Sequence, residues 1–195
     1  MSRSSPSSST NLRPRSLREF RGLLNNGLAH LRARWALRTA TSLGPRVRLW
    51  GRVHLSLEGQ LTIGGRTRLA GTLTPIELMV GSGAELQIGS QVYINYGTSI
   101  GAFERITIKD HCNLGSYVMI IDNNLHELDP ARRLERPPSA PVVLEENVWL
   151  GSRVVVLPGV TIGADSVVGV GSIVTEDIPP RSLAVGVPAK MIRRL

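Results

Sequence analysis

The run NVWLGSRVVVLPGVTIGADSVVGVGSIVTEDIPPRSLAVGVPAK, residues 147–190, decides the fold. Stepping by six from Leu150 gives Val156, Ile162, Val168 and Val174, an aliphatic residue every time. Gly151, Gly163 and Gly169 each follow one of them, and Pro158-Gly159 marks a turn. Two residues ahead of each aliphatic stands a smaller or β-branched one: Val148, Val154, Val160, Ser166 and Ser172. A period of six fits neither an amphipathic helix, at about 3.6, nor a hairpin sheet, at about 2. It fits short strands joined by sharp turns, three of which close a triangular coil of about eighteen residues. Aliphatics at one phase then stack along the axis, and Gly or Asn at the corners tolerates positive φ.

The same phase runs upstream. Ile88, Ile94 and Ile100 form one series and Ile108, Leu114 and Ile120 another, with two extra residues inserted near Ala102–Arg105. Leu57, Ile63 and Leu69 repeat it more weakly, and Gly71–Val80 breaks phase. The expected fold is an all-β solenoid over residues 45–178. A solenoid needs capped ends. Leu17, Phe20, Leu23, Leu24, Leu28 and Leu31 recur at steps of one, three and four, which predicts an amphipathic helix as the N-terminal cap within residues 15–44. Residues 179–195 are expected to close the other end with a loop and a short C-terminal helix.

Composition narrows the function. The single cysteine, Cys112, excludes an internal disulfide and a Cys-rich metal site, and fits a reducing, cytoplasmic setting as a small buried residue. No apolar run reaches the roughly 18 residues that span a membrane, and the first twenty residues lack the apolar core of a secretory signal. Residues 1–14, rich in Ser and Arg, are expected to be a disordered basic arm. The net charge of +8 is unevenly placed: residues 1–52 hold eleven arginines and one acid, residues 53–195 a net −2. No zinc finger, aromatic RNA-binding motif or heptad array accompanies the charge, so nucleic acid is not expected. A solvated helix face is the plain reading of the basic region; weak contact with an anionic membrane surface or an acidic partner are the others.

The repeat is lost between Ile120 and Val142, where the chain reads IDNNLHELDPARRLERPPSAPV. Loops that leave a rigid scaffold are where sites gather, which makes 121–141 the candidate site loop. It contains His126, among Asp122, Asn123, Asn124, Glu127 and Asp129. An acid or a backbone carbonyl bonded to one ring nitrogen would fix the tautomer and leave the other free to accept a proton. The four histidines share no short metal-ligand spacing, so no metal site is expected.

Residues 147–190 closely resemble the signature of hexapeptide-repeat acyltransferases, nearest the maltose and galactoside O-acetyltransferases and related enzymes of exopolysaccharide biosynthesis. The likeness extends over residues 78–195. It implies a left-handed parallel β-helix, a homotrimer with sites between neighbouring coils, and acetyl-CoA as co-substrate. On the matching positions, His126 is the implied base. Asn95, in VYINYG, is implied to hold the acceptor, with Asp122, Asn124 and Glu127 of the loop beside it. Trp149 is implied as a wall of the coenzyme site, Ser152 falls near the thioester carbonyl, Val170 and Thr175 beside the pantetheine arm, and Lys190 and Arg193 at the coenzyme phosphates. Two positions depart from the pattern: Glu176 stands where the family usually has Lys, and NNLHELD replaces the sugar acetyltransferases' usual loop.

Each position also has a structural reading: a packed corner for Trp149, a corner asparagine for Asn95, a turn cap for Ser152, a solvated tail for Lys190 and Arg193. The resemblance implies acyl transfer to a hydroxyl of a sugar or other small acceptor. The alternatives are N-acylation of an amino sugar or antibiotic amine, and a non-catalytic trimeric scaffold. A γ-type carbonic anhydrase is disfavoured because His111 and His126 lack its paired-histidine pattern, and a nucleotidyltransferase because no Rossmann-like domain precedes the repeats.

Overall fold

The computed structural model describes residues 17–195; the arm expected over 1–14 lies outside them. The repeat folds as a parallel β-solenoid of about six coils. Its aliphatics form three columns. One face stacks Leu43, Ile63, Ile88, Ile108, Leu144 and Ile162 in register. The next stacks Leu49, Leu69, Ile94, Leu114, Leu150, Val168 and Ala184. The third stacks Leu55, Leu78, Ile100, Ile120, Val156 and Val174. Nearly all of these side chains are fully buried. Each fully buried Val, Leu or Ile among them contributes about 1.5–3 kcal/mol by leaving water, so the columns are the core. The hand of the coil is the left-handed one that the resemblance implies.

The small partners two residues earlier fill the gaps between columns. Val148, Val154, Val160, Ser166 and Ser172 are all buried. Ser166 Oγ donates to the Pro179 carbonyl at 2.9 Å, so the buried hydroxyl is satisfied. Cys112 sits in the same layer, its Sγ 3.1 Å from the Glu145 carbonyl, and burial pushes its thiol up to about 11.

The corners differ from the sequence expectation. Positive φ is taken up largely by other residue types, among them Arg46, Arg66, Gln91, His111, Tyr117 and Arg153. The stack imposes this conformation on side chains that ordinarily avoid it, at about 1–2 kcal/mol each. The glycines that follow the aliphatics are needed for another reason. A Cβ on Gly89 would lie 2.7 Å from the Lys109 carbonyl carbon, and one on Gly163 would lie 2.4 Å from Pro180 N. Neither has a positive φ. Glycine there lets the backbone of the next coil approach.

The N-terminal cap is helix α1, Leu17–Ala36. It packs on the first coil through Ala29, Ala33 and the following Leu37, all buried. The face that the leucine spacing predicted is therefore not the docked one, since Leu28 and Leu31 are exposed. Small alanines let the helix axis come close, and His30 Nδ1 and Arg32 reach the carbonyls of Val47 and Leu49.

At the other end the expected short helix is absent. Ser182–Gly186 and Ala189–Arg194 form an antiparallel hairpin that extends the second face. A helix of six residues is too short to hold alone, whereas the last parallel strand offers an edge whose backbone groups need partners. No described helix is long and apolar enough to cross a membrane.

Candidate active site

The loop 121–141 leaves the third face after the strand Met119–Ile121 and rejoins the first at Val142–Leu144. Its root is fixed by two buried side chains. The Asp122 carboxylate accepts from the backbone N–H of Phe103, Glu104 and Arg105 at 2.7, 2.9 and 2.8 Å. These three residues span the site of the two-residue insertion near Ala102–Arg105, so the corner that breaks phase is held by the loop that follows one coil later. Asn123 donates to the Pro137 carbonyl and Ser139 Oγ, and its Oδ1 accepts from Leu125 N. The Arg136 guanidinium lies 4.6 Å from the Phe103 ring centroid. Asp122, expected as an acceptor contact, is thus committed to backbone amides, because a buried carboxylate needs every donor it can find.

His126 stands beyond this anchor, exposed, in a turn where its own N–H bonds the Asn124 carbonyl. Its Nδ1 lies 2.9 Å from the Arg133 carbonyl oxygen. A carbonyl only accepts, so Nδ1 carries the hydrogen and Nε2 bears the lone pair. Nε2 has no partner among the described residues. Asn124, Glu127, Leu128, Arg133 and Leu134 join His126 around a cavity of 540 Å³. Glu127 faces Arg132, which is held 2.8 Å from Glu135.

A second cavity of 540 Å³ lies on the second face, against Tyr93, Asn95, Asn113, Asn147, Trp149 and Val167. Tyr93, Asn113, Trp149 and Val167 occupy one outward position in successive coils. Asn95 Oδ1 accepts from the Tyr96 N–H at 2.9 Å, which leaves Nδ2 for the cavity. The cavities of His126 and Asn95 share no residue. A single chain does not bring the two together.

The remaining candidates line the corner and the C-terminal end. Ser152 Oγ accepts from Ser116 Oγ at 3.1 Å. A Cβ on Gly151 would meet Val170 N at 2.7 Å, so Val170 follows Ser152 along one corner, and its side chain is exposed. Thr175 is exposed on the third face. Lys190 Nζ lies 2.8 Å from Glu176 Oε2, and that ammonium holds the Glu176 carboxyl below its ordinary range. The departure at position 176 therefore meets the basic candidate directly. Arg193 is exposed near the chain end. Among the described residues no three His, Cys, Asp or Glu side chains gather as metal ligands.

Sequence reasoning did not single out Arg133 or Tyr93. Arg133 acts through its backbone carbonyl, which leaves no mark in a sequence. Tyr93 had a signal, since it stands one residue before Ile94 as Trp149 does before Leu150.

The family described as bacterial transferase hexapeptide (six repeats) matches residues 141–176. The galactoside O-acetyltransferase of Escherichia coli K12 is 39% identical over 113 residues, 58% of this chain and 56% of that protein. The chain spans just over half the length of the curated relatives it matches. A hexapeptide-repeat acetyltransferase of Vibrio cholerae solved with acetyl coenzyme A superposes with a TM-score of 0.62 at 27% identity, over 93% of this chain and 91% of that one. An N-acyltransferase from Bacillus cereus, solved with dTDP and coenzyme A, shares the fold at a TM-score of 0.66 and 23% identity, over 85% and 87%.

Proposed function

We propose that this chain, which resembles the hexapeptide-repeat acyltransferases in repeat, coil and sequence, moves an acetyl or short acyl group from acyl-CoA to a hydroxyl of a small, carbohydrate-like acceptor. The observation that carries the reading is His126, whose Nδ1 is bonded to the Arg133 carbonyl and whose Nε2 has no partner among the described residues, in the long loop that leaves the solenoid.

His126 Nε2 takes the proton of the acceptor hydroxyl as that oxygen attacks the thioester carbonyl carbon. The C–S bond breaks, and the imidazolium returns its proton to the departing sulfur. Ser152 and neighbouring backbone N–H groups are the proposed donors to the oxyanion, where preorganised hydrogen bonds act most strongly. No acyl-enzyme is needed when a rigid groove holds both substrates together. Cys112 is unsuited to covalent catalysis, being buried with its thiol held protonated up to about 11.

The site is completed between copies. His126 and Asn95 stand at separate cavities of one chain; in the proposed homotrimer the loop of one protomer meets the Asn95 and Trp149 wall of the next. Coenzyme A lies along Trp149, Ser152, Val170 and Thr175, with Lys190 and Arg193 toward its phosphates. No metal takes part, and the setting is cytoplasmic.

His126→Ala tests the reading. Turnover falls by about 10²-fold or more while coenzyme binding is retained; a near-normal rate rules His126 out as the base. The same lone pair would serve an amine, so coenzyme A release measured with matched hydroxyl and amino sugars decides between O- and N-acylation. Absence of turnover with every acyl-CoA, and no coenzyme-dependent rise in melting temperature, would favour the scaffold instead.

A further inference from the structure

Helix α1 has two apolar faces, and the solenoid uses only one. Ala29 and Ala33 face the first coil and are fully buried. Leu28, Leu31 and Trp35 advance by three and four residues along the other side, and are 54, 67 and 72% exposed. In the sequence Leu17, Phe20 and Leu24 continue that spacing toward the N-terminus. A stripe of large side chains left in water on a helix that is already docked asks for an occupant.

Charge says which. At 100° per residue, Arg32 falls on one edge of the stripe and Arg34 on the other. The Arg38 guanidinium lies 5.0 Å from the Trp35 ring centroid. Arg34 and Arg46 line a cavity of 730 Å³ at the root of the helix. Arg46 continues into a second, of 340 Å³, lined only by Arg46, Arg48, Arg66, Arg68 and Gln91. None of these arginines makes an ion pair among the described residues. Four are held in place: Arg32 donates to the Leu49 carbonyl, Arg38 to the Trp35 carbonyl and Arg48 Nε to His30 Nε2, and Arg68 lies over the Tyr93 ring. Residues 1–52 carry a net +10 while the remainder is slightly acidic.

A second copy docked two-fold on this face would set one arginine-edged stripe against another and bring like charges together. A surface with anionic headgroups over an apolar interior complements both parts of the face. We propose that α1 is a membrane-docking helix: Leu28, Leu31 and Trp35 enter an anionic lipid surface while the arginines at its edge and root lie at the level of the phosphates. This goes beyond the acyl-transfer reading and does not depend on it.

The test is co-sedimentation of the full chain with vesicles of phosphatidylcholine alone and with about one third phosphatidylglycerol. The chain pellets with the anionic vesicles and stays in solution with the zwitterionic ones, and binding falls as salt is raised from about 0.05 to 0.5 M. Leu31→Glu with Trp35→Glu lowers binding by at least about tenfold. Both side chains are exposed, so circular dichroism is unchanged. Arg32→Ala with Arg34→Ala weakens binding and flattens its salt dependence. Failure to pellet with anionic vesicles at low salt overturns the proposal, as does equal binding by the stripe variant. Light scattering without lipid gives the third arm: a stripe variant that falls to a smaller assembly assigns the stripe to a second copy and overturns the membrane assignment. Coenzyme A binding, measured alongside, keeps this outcome separate from that of the acyltransferase reading.

Discussion

Gly89→Ala puts the coil geometry to a quantitative test. The added Cβ would lie 2.5 Å from Asp110 Oδ1, 2.7 Å from the Lys109 carbonyl carbon and 2.8 Å from Asp110 N. Carbon contacts settle at about 3.5 Å, so the neighbouring coil would have to retreat by about 0.8 Å. It has little room to do so. Gly89 N donates to the Ile108 carbonyl at 2.7 Å and Ser90 N to Asp110 Oδ1 at 2.7 Å. The strand Arg105–Ile108 is itself held between Glu85–Ile88 and Val142–Leu144. Overpacking typically destabilises by about 1–3 kcal/mol, and two rigid backbones place this site near the upper end, about 3 kcal/mol. For a chain of this size each kcal/mol moves the midpoint by about 2–4 °C, so the melting temperature drops by about 6–12 °C.

Gly27→Ala in α1 is the matched control. Nothing lies within 4 Å of its added Cβ, and alanine is about 1 kcal/mol better than glycine in a helix. That variant melts about 2–4 °C higher. Circular dichroism melts of both variants beside the parent make the measurement. A Gly89→Ala midpoint within about 1 °C of the parent would refute the close-approach reading of the solenoid glycines.

Two further outcomes follow from titratable groups. Burial raises the Cys112 thiol from its ordinary 9.0 to about 11, so the fold favours the protonated form. Its contribution to stability is full below pH 9 and is lost as pH rises toward 11; denaturation midpoints fall across that window in the parent and less in Cys112→Ala, and a parallel decline in both would dismiss the thiol. Glu176→Gln frees Lys190 from its carboxylate partner. Acyl-CoA affinity then rises about 2–5-fold at low salt while the melting temperature stays put, because an exposed pair adds little to stability; weaker coenzyme binding would show that Lys190 does not meet the phosphates.

Much of the architecture was legible because the repeat forces one residue class onto one phase. Leu150, Val156 and Ile162 are aliphatic for the same reason that they stack, and a break in phase has to leave the coil, as 121–141 does. What escaped was whatever depends on a neighbour one coil away. The glycines after Ile88 and Ile162 look like turn glycines in one dimension; their role appears only with the next backbone in place. Asp122 reads as a loop acid among other loop acids, and its three amide donors lie 17 to 19 residues back. The leucines of α1 had the right spacing for a packed face, but spacing does not say which of two apolar faces wins, and the alanines allowed the closer approach. The terminal segment contains no signal that a strand edge is waiting for it.

The loop bearing His126 is a parenthesis in the coil. It opens after Ile121 and closes before Val142, and the strands on either side keep their register with the coils above and below, Ile121 against Gly101 and Val142 against Ile106. Lengthening or replacing its outer part leaves every rung where it was, provided that Asp122 and Asn123 stay to clamp the opening. Such a chain can change what it recognises without renegotiating what it is built from: the loop is an exchangeable cassette, while the glycine-spaced wall behind it tolerates almost no revision.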